Sequence, residues 1–254
     1  SLECGTPVAT GHTFSFAPSV RPETVLPFLF DAIERLAGQN GIGGLLFRDF
    51  RDADVELFDM LIAMRGFTRV PNLPDCRLAL RWSTFEEYLG SLRHPYRRRI
   101  RKHAAVLGDE ITVELRSRFA DLAPQLQRLW QNVYDRAREY QRERLTSEFF
   151  RNMDRHLGER SAVLLLKLRQ RPVAFALLVY EEHDVLWLFC GLDYEWNQRY
   201  NLYFNLLSEI VRAAIQRGAR RLDLGITTLT AKKAMGGRVV PLYVYMKHAN
   251  PVWN

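Results

Sequence analysis

Cysteines, long apolar runs and a secretory signal are scarce or missing in this sequence. Its 254 residues include three cysteines, which are odd in number, far apart and without the paired spacing of metal ligands (Cys4, Cys76 and Cys190). That pattern favours a reducing compartment. No run of eighteen apolar residues occurs, which argues against a membrane-spanning helix. The first residues lack the basic and then apolar order of a secretory signal. We therefore expect a cytoplasmic protein.

The motifs of several enzyme classes are also missing. The six histidines show neither an HExxH motif nor another paired spacing, so we expect no metal site. A GxSxG elbow, a P-loop and a dinucleotide fingerprint are all absent, so hydrolase, kinase and dehydrogenase functions lose their usual support. We expect no tightly bound cofactor.

What the sequence does contain is a local excess of positive charge. Thirty-six basic and twenty-nine acidic residues give a net charge of +7, and much of the excess lies in HPYRRRIRKHAAVL, residues 94–107. Such a segment suits an anionic partner: a phosphorylated substrate, a transfer RNA or an anionic membrane at the inner membrane face. It also suits a merely solvated helix. We predict that Arg97, Arg98 and Arg101 bind substrate. Because no aromatic residues for base stacking are interleaved here, sequence-specific nucleic acid binding is not expected.

The first part of the chain alternates between strand and helix patterns. We predict a strand at 12–17, a helix at 22–37, a strand at 43–50, a helix at 54–65 and a strand at 76–82. Thr84 and Glu87 then form a capping box that opens a helix, which Pro95 interrupts before the basic segment. We place a boundary near Gly108, giving an N-terminal half at 1–107 and a second half at 108–254.

The second half has a more informative order. We predict a strand at 111–116, a helix from about 121, a helix at 147–156, strands at 162–168, 173–180 and 185–192, a helix from about 201, a strand at 221–225, a short segment at 231–235 and a strand at 239–248. The three central strands are joined by turns short enough for antiparallel hairpins.

The start of the helix near residue 201 admits two interpretations. It follows the polar run Asn197 to Asn201, so it is either an ordinary turn or an anion site, because a helix N-terminus presents unpaired N–H groups and partial positive charge. In the second case Asn201 would cap the helix and Arg199 would add charge.

The order of elements over 111–248 resembles the GNAT superfamily of N-acyltransferases. The resemblance implies an α/β fold with a mixed, largely antiparallel sheet flanked by helices, in two related halves. It also implies acyl-CoA as co-substrate, with the pyrophosphate at the helix start. We assign the donor-binding residues accordingly, as Gln198, Arg199, Tyr200, Asn201, Leu202 and Tyr203.

The stretch LDLGITTLTAKKAMGGRVVPLYVYMKHANP is similar to the C-terminal end of Fem-type and related lipid or cell-envelope acyltransferases. That group carries a lysine four residues before a glycine, as Lys232 stands before Gly236. Lys233 stands four before Gly237, so the assignment is not unique, and we favour Lys232. The resemblance implies a lysine that neutralises the oxyanion of acyl transfer. A solvated turn lysine is the plain alternative.

An amine nucleophile also needs a proton acceptor. Asp223 at a strand end is the first candidate and the hairpin pair Glu181 and Glu182 the next, with an ion pair to Arg220 or Arg221, or a polar turn, as the structural alternatives. Thr227 either binds substrate or satisfies the loop backbone.

Three functions therefore remain open from the sequence. The first is transfer of an acyl group from a CoA or acyl carrier protein thioester to an amine acceptor; Tyr245 in an apolar last strand suggests a lipid or other hydrophobic partner. The second is an aminoacyl-tRNA-dependent Fem-type transferase. The third is a catalytically silent module that binds anionic membrane or RNA.

Overall fold

The computed structural model describes residues 1–6, 9–10, 14–63, 65–138, 141 and 143–248. The described chain forms two compact units, one from residues 1–75 and 240–254 and the other from residues 76–239. The boundaries of the second unit, near residues 76 and 239, differ from the predicted boundary near Gly108. The basic helix therefore belongs to the second unit. The relation between halves 1–107 and 108–254 stays a prediction.

The helices and strands follow the predicted alternation closely. The strands are β1 (Leu2–Cys4), β2 (Gly44–Phe50), β3 (Thr68–Pro71), β4 (Asp75–Ala79), β5 (Ile111–Arg116), β6 (Ser161–Leu168), β7 (Arg171–Tyr180), β8 (Asp184–Leu192), β9 (Arg221–Asp223), β10 (Arg238–Val240) and β11 (Tyr243–His248). The α-helices are α1 (Pro22–Gln39), α2 (Asp52–Ala63), α3 (Phe85–Ser91), α4 (His94–Leu107), α5 (Ala123–Arg136), α6 (Ser147–Leu157), α7 (Tyr194–Tyr200), α8 (Leu202–Gln216) and α9 (Leu229–Ala234). Among the residues described, none of these helices combines the length and apolar character needed to cross a bilayer.

The first unit contains a four-stranded sheet in the order β1-β2-β11-β3. Its core is rich in phenylalanine, and Phe47 packs edge-on against Phe30 of α1.

Two strand predictions fail in this unit. Of the predicted strand at 12–17, residues 12–13 lie outside the described residues and 14–17 are not a strand, although Phe14 and Phe16 pack on the core. The predicted strand at 239–248 is two strands, since Pro241 interrupts the ladder and β11 pairs with β2 and β3.

The second unit contains a seven-stranded sheet in the order β10-β4-β9-β8-β7-β6-β5. Its strands pair antiparallel from β5 to β8, as the hairpin turns predict, and β4 pairs antiparallel with β9. Successive residues of β6 face opposite sides, so Leu164 joins the core on the side of α8 while Leu165 joins the core beneath α5 and α6. Helices therefore cover both faces of this sheet.

The predicted capping box is confirmed and explains how the basic helix is introduced. The Thr84 hydroxyl accepts a hydrogen bond from the Glu87 amide, and the Glu87 carboxylate accepts one from the Ser83 amide. The helix so begun, α3, ends at Ser91, and Pro95 occupies the first turn of α4, where its missing N–H costs nothing.

Candidate active site at the cleft between β8 and β9

The sheet of the second unit opens where β8 and β9 separate. These two strands are paired in parallel over only three residues each, Asp184–Leu186 against Arg221–Asp223. Beyond that point Leu224 stays bonded to β4 through the Cys76 carbonyl, whereas β8 continues along β7 to Leu192. The result is a cleft between the continuing part of β8 and the loop that follows β9.

A β-bulge in β8 accompanies the separation. Against β7, Leu178 lies opposite Trp187 and Leu177 opposite Phe189, so Leu188 is an extra residue on β8. A bulge bends and twists its strand locally. Because it comes two residues after the last pairing with β9, it turns β8 away from that neighbour. The Trp187 indole N–H donates to the Phe189 carbonyl across the bulge at 3.1 Å.

Lys232 lies inside this cleft, between its two sides. It is 3% exposed, its Nζ donates to the Gly225 carbonyl oxygen at 3.1 Å, and the same nitrogen lies 5.4 Å from the centre of the Trp187 ring. One contact is to the loop after β9 and the other is to β8, so the ammonium group bridges the two sides. Lys233 is exposed. The structure thus brings Lys232, and not its neighbour, to the cleft.

Close packing fixes the helix that carries Lys232. The Tyr88 hydroxyl donates to the Met235 carbonyl at 2.8 Å, and the Gly237 amide donates to the Lys232 carbonyl. A Cβ at Gly237 would lie 2.6 Å from the Cys76 sulfur and 2.8 Å from the Lys232 carbonyl oxygen. The absence of a side chain at this position therefore lets α9 pack against β4.

Cys190 and Tyr203 belong to the same cleft, and the sequence did not single out Cys190. Burial raises the pKa of the Cys190 thiol to about 11, and the nearby Lys232 ammonium opposes this rise. Burial also raises the pKa of Tyr203, which a hydrogen bond with the Thr228 side chain partly offsets. Its ring lies 6.1 Å from that of Trp187. Both groups are therefore neutral at physiological pH. In the sequence, Cys190 is one cysteine among apolar and aromatic residues of a strand. That pattern is the same for a core residue and for a site residue, so the sequence could not identify it.

The thiol of Cys190 offers a direct test of this geometry. We expect its alkylation by iodoacetamide to accelerate about tenfold per pH unit up to about pH 11, because the thiolate is the nucleophile and Cys190 ionises with a pKa of about 11. In Lys232→Met the pKa should rise further, since the stabilising positive charge is gone. Peptide mass spectrometry reads each cysteine separately. An inflection near pH 8.5, the ordinary thiol range, would contradict the placement.

The start of α8 differs from the prediction. The polar run before it is helical, as α7, and Asn201 joins the two helices in a left-handed conformation with φ of 47°. The Asn201 side chain makes no capping hydrogen bond, so its predicted role is wrong. The Asn197 side chain instead accepts from the Tyr203 amide at 3.2 Å, and the Asn201 carbonyl accepts from the Asn205 amide. The second bond is the first i→i−4 bond of α8 itself, so of the amides that a helix start leaves free, that of Tyr203 is already bonded.

A carboxylate also stands beside the predicted donor-binding segment. Glu110, which follows the basic helix, accepts hydrogen bonds from the Tyr200 hydroxyl and from Arg199, the latter at 2.9 Å. The Tyr200 hydrogen bond, ahead of the Arg199 charge, lowers the pKa of Glu110, so this carboxylate remains ionised. Tyr200 and Leu202 are buried, whereas Gln198 and Arg199 are exposed. The arrangement argues against an open pyrophosphate cradle at this helix start.

The candidate proton acceptors occupy structural positions. Asp223 forms an ion pair with Arg77 of β4 at 3.1 Å and accepts a hydrogen bond from the Gly225 amide at 3.0 Å. The structural alternative to a catalytic role was an ion pair, but the sequence suggested Arg220 or Arg221 as the partner. The hairpin carrying Glu181 and Glu182 precedes β8 at the end of the β8–β9 pairing opposite to the cleft. Thr227 is half-buried in the loop after β9.

The predicted substrate-binding residues are dispersed. Arg97 donates to the Gly90 carbonyl and Arg101 lies 3.6 Å from Glu86, whereas Arg98 is exposed. Tyr245 belongs to the first unit, is 1% exposed and donates its hydroxyl to Asp59 at 2.7 Å. We therefore assign Tyr245 to the core of that unit rather than to a substrate channel. Within the described ranges, no group of three or more histidine, cysteine, aspartate or glutamate side chains could hold a metal ion.

An α/β unit with a mixed, largely antiparallel sheet flanked by helices is the architecture that the sequence led us to expect of an acyltransferase, and the structure adds an opening beside a bulge between two parallel strands. The sequence profile described as "Acetyltransferase (GNAT) domain" matches residues 90–233, which is more than half of the chain. The chain therefore belongs to the GNAT family. Both the predicted family and the predicted fold class are confirmed.

Similar proteins extend this finding. Relatives from two strains of Mycobacterium tuberculosis, each named "Putative 8-amino-7-oxononanoate synthase 2", are 32% identical over 255 residues, covering 98% of this chain and 33% of their own length. The chain spans about a third of the length of these curated relatives. Among solved structures, FemX matches with a TM-score of 0.61 and 14% identity, covering 91% of this chain and 78% of FemX. The C-terminal domain of a "Putative Lysylphosphatidylglycerol Synthetase from Agrobacterium fabrum" matches with a TM-score of 0.61 and 13% identity, covering 89% and 73%. At these identities the two structures show the fold alone.

Proposed function

We propose that this protein transfers an acyl group from the thioester of CoA or of an acyl carrier protein to an amine acceptor, in the cleft between β8 and β9. The observation that carries the proposal is the buried Lys232 ammonium, which bridges the two sides of the opening. An ammonium group held at this position can donate a hydrogen bond to negative charge that develops between the two strands. Membership of the GNAT family supports the reaction class.

The chemistry assigns each group a step. The free amine attacks the thioester carbonyl carbon, a C–N bond forms, and the carbonyl oxygen becomes an oxyanion to which Lys232 donates a hydrogen bond. The C–S bond then breaks, and the leaving thiolate takes a proton. Tyr203, kept as a phenol by its raised pKa, is the donor that we propose for this proton, and solvent then returns a proton to its oxygen so that the phenol is restored. Since Asp223 is engaged with Arg77, the amine gives up its own proton to solvent, and Thr227 is a second hydrogen-bond donor on the loop.

Because the Tyr203 amide at the start of α8 is already bonded, the donor's phosphate groups need side-chain contacts as well. We propose that the exposed side chains of Gln198 and Arg199 contact them, with Glu110 displaced from Arg199 when the donor binds. Arginine is well suited to this exchange because its planar donors fit carboxylate and phosphate alike.

For the acceptor, we propose a hydrophobic or lipid-like amine. The likeness in fold to a protein named as a putative lysylphosphatidylglycerol synthetase supports a lipid acceptor. The longer relatives are named for another amine on an apolar acid, 8-amino-7-oxononanoate. Both belong in the acceptor panel.

The test is thiol release measured with a thiol reagent. Acyl-CoA donors of increasing chain length, and the matching acyl carrier protein thioesters, are mixed with the protein and the amine panel, and the product is identified by mass spectrometry. We expect amine-dependent release that Lys232→Met abolishes. Absence of amide product across all donors and amines, with folded protein, would overturn the proposal.

A second candidate is an aminoacyl-tRNA-dependent transferase. The specific observations in its favour are the Tyr203 amide already bonded to Asn197 and the Glu110 carboxylate on Arg199, both unfavourable to a pyrophosphate at the start of α8, together with the FemX-like fold. It predicts that transfer from charged tRNA proceeds without CoA and that ribonuclease abolishes it. Ribonuclease-resistant transfer from acyl-CoA would exclude this candidate in favour of the first.

A further inference from the structure

Asp223 lies at the point where the cleft opens, and its carboxylate holds the loop that carries a hydrogen-bond partner of Lys232. We propose that Asp223 is a positioning residue: through the Gly225 turn it fixes the carbonyl oxygen that holds the Lys232 ammonium group in the cleft. Its effect on the rate rests on the proposed acyl transfer. Its effect on the position of Lys232 has a separate measurement, which requires no activity.

The place of Asp223 in the sheet explains why the loop after β9 needs a support. Asp223 is the last residue of β9, and it lies opposite Leu186 of β8 on one side and Arg77 of β4 on the other. Beyond it β8 turns away at its bulge, whereas the Leu224 amide donates to the Cys76 carbonyl of β4. The sheet therefore holds the start of the loop from the β4 side, and on the cleft side the backbone groups of the loop need other partners.

The two carboxylate oxygens of Asp223 have different partners. Oδ1 accepts a hydrogen bond from the Gly225 amide at 3.0 Å, and Oδ2 lies 3.1 Å from a guanidinium nitrogen of Arg77. A bond from an aspartate side chain to the backbone amide two residues later is an Asx turn, which fixes a local loop. Both side chains of the ion pair are mostly shielded from water, so Arg77 fixes the orientation of the carboxylate that forms the turn.

The turn places a backbone oxygen against Lys232. Gly225 has a φ of 71°, in the left-handed region that glycine adopts readily. While its amide donates to Asp223, its carbonyl oxygen accepts from Lys232 Nζ at 3.1 Å. An added Cβ at Gly225 would lie 3.8 Å from the Trp187 carbonyl oxygen and 4.0 Å from Lys232 Nζ, which are ordinary contacts. The backbone conformation, and not a lack of space, therefore favours glycine here.

A carbonyl partner suits the role proposed for Lys232. An ammonium group has three N–H donors, and the bond to Gly225 fixes the direction of one of them. A neutral carbonyl oxygen orients the group without cancelling its positive charge, whereas a carboxylate in the same place would offset that charge. The negative charge of Asp223 is balanced by Arg77. Asp223 thus acts on the reaction through the loop, and neither accepts a proton nor contacts the substrate.

Nuclear magnetic resonance tests the position of Lys232 without any reaction. The chain has five lysines, so labelling lysine Cε with ¹³C gives a simple spectrum, and Lys232→Met identifies the Lys232 signal by its loss. We expect the Trp187 ring, whose centre lies 5.4 Å from Nζ, to shift the Cε protons of Lys232 upfield. Asp223→Ala releases Gly225 and should remove this shift, whereas Asp223→Asn keeps an oxygen for the Gly225 amide and should retain it. A shift that persists in Asp223→Ala would mean that the turn does not hold Lys232.

Steady-state kinetics then test the link to the reaction. Asp223→Ala should lower kcat about tenfold to a hundredfold with little change in KM, the size expected when a catalytic group is displaced by about an ångström, and Asp223→Asn should keep most of kcat. Asp184→Ala is the matched control. It removes another carboxylate that pairs with an arginine, Arg221, at the end of the β8–β9 pairing away from the cleft, and should leave kcat within about twofold.

Gly225→Ala provides a second test, which also serves if Asp223→Ala does not fold. Alanine does not readily keep a φ of 71°, so this variant should lose both the Lys232 shift and kcat. A wild-type shift and kcat in Gly225→Ala, or equal losses of kcat in Asp223→Asn and Asp223→Ala, would contradict the positioning role. If the shift changes as expected but the wild-type chain acylates no amine, the proposed transfer fails and the positioning of Lys232 by Asp223 stands.

Discussion

Replacement of Lys232 by methionine is expected to lower kcat for acyl transfer by about 10² to 10³-fold, with little change in KM. The reason is that the ammonium group donates to an oxyanion that exists only in the transition state, and loss of one such donor typically has this effect. Methionine keeps the apolar stem near Trp187, so the protein should fold. Initial rates and thermal unfolding of the two proteins measure both effects.

Lys233→Met is the matched control for this experiment. It makes the same substitution one residue later on α9, at an exposed position, and should leave kcat within about twofold, since exposed residues away from a site contribute little. A large effect from Lys233 with none from Lys232 would mean that the lysine assignment is reversed. Equal, small effects from both would remove the electrostatic role altogether.

Replacement of Gly191 by alanine should destabilise the second unit by at least about 3 kcal/mol, the upper part of the range for overpacked cores. A Cβ there would lie 2.3 Å from Phe175 Cε1, and 2.5 and 2.6 Å from backbone atoms of Leu129 and Trp130. Backbone atoms in the middle of α5 cannot move aside as a flexible side chain can. Urea unfolding followed by tryptophan fluorescence measures the loss, because the four described tryptophans all belong to this unit.

Gly90→Ala makes the same chemical change where nothing opposes it. No atom lies within 4 Å of the added Cβ, and Gly90 is within α3, where alanine is favoured over glycine by about 0.5 to 1 kcal/mol. We therefore expect a slight gain in the free energy of unfolding. If Gly191→Ala also leaves the urea midpoint unchanged, the close approach of α5 to β8 is incorrect.

Local signals in the sequence predicted most of the second unit. The capping box at Thr84, the break at Pro95 and the three central hairpin strands all depend on neighbouring residues and appear where expected. The start of α8 was harder, because a left-handed residue between two helices has no signal beyond an asparagine in a polar run. The sequence therefore suggested a turn or an anion site in the polar run 197–201, most of which belongs to the helix Tyr194–Tyr200.

The parts of the site that could not be predicted depend on contacts between distant residues. Asp223 was the first candidate proton acceptor, with a pair to Arg220 or Arg221 as the alternative, but its partner is Arg77, because β4 lies beside β9. The distinction between Lys232 and Lys233 likewise follows from burial, which the repeated lysine-to-glycine spacing cannot show. Tyr245 appeared available for substrate because the pairing of β11 between β2 and β3 is not visible in the sequence of that strand.

The position of β11 has a consequence for biosynthesis. This strand lies inside the sheet of the first unit, between β2 and β3, although the ribosome makes it last among the described elements. During synthesis, the edges of β2 and β3 that pair with β11 therefore remain unpaired until residues 76–239 have been made. Nascent chains arrested before residue 243 should accordingly show a protease-resistant second unit preceded by a protease-sensitive leading segment.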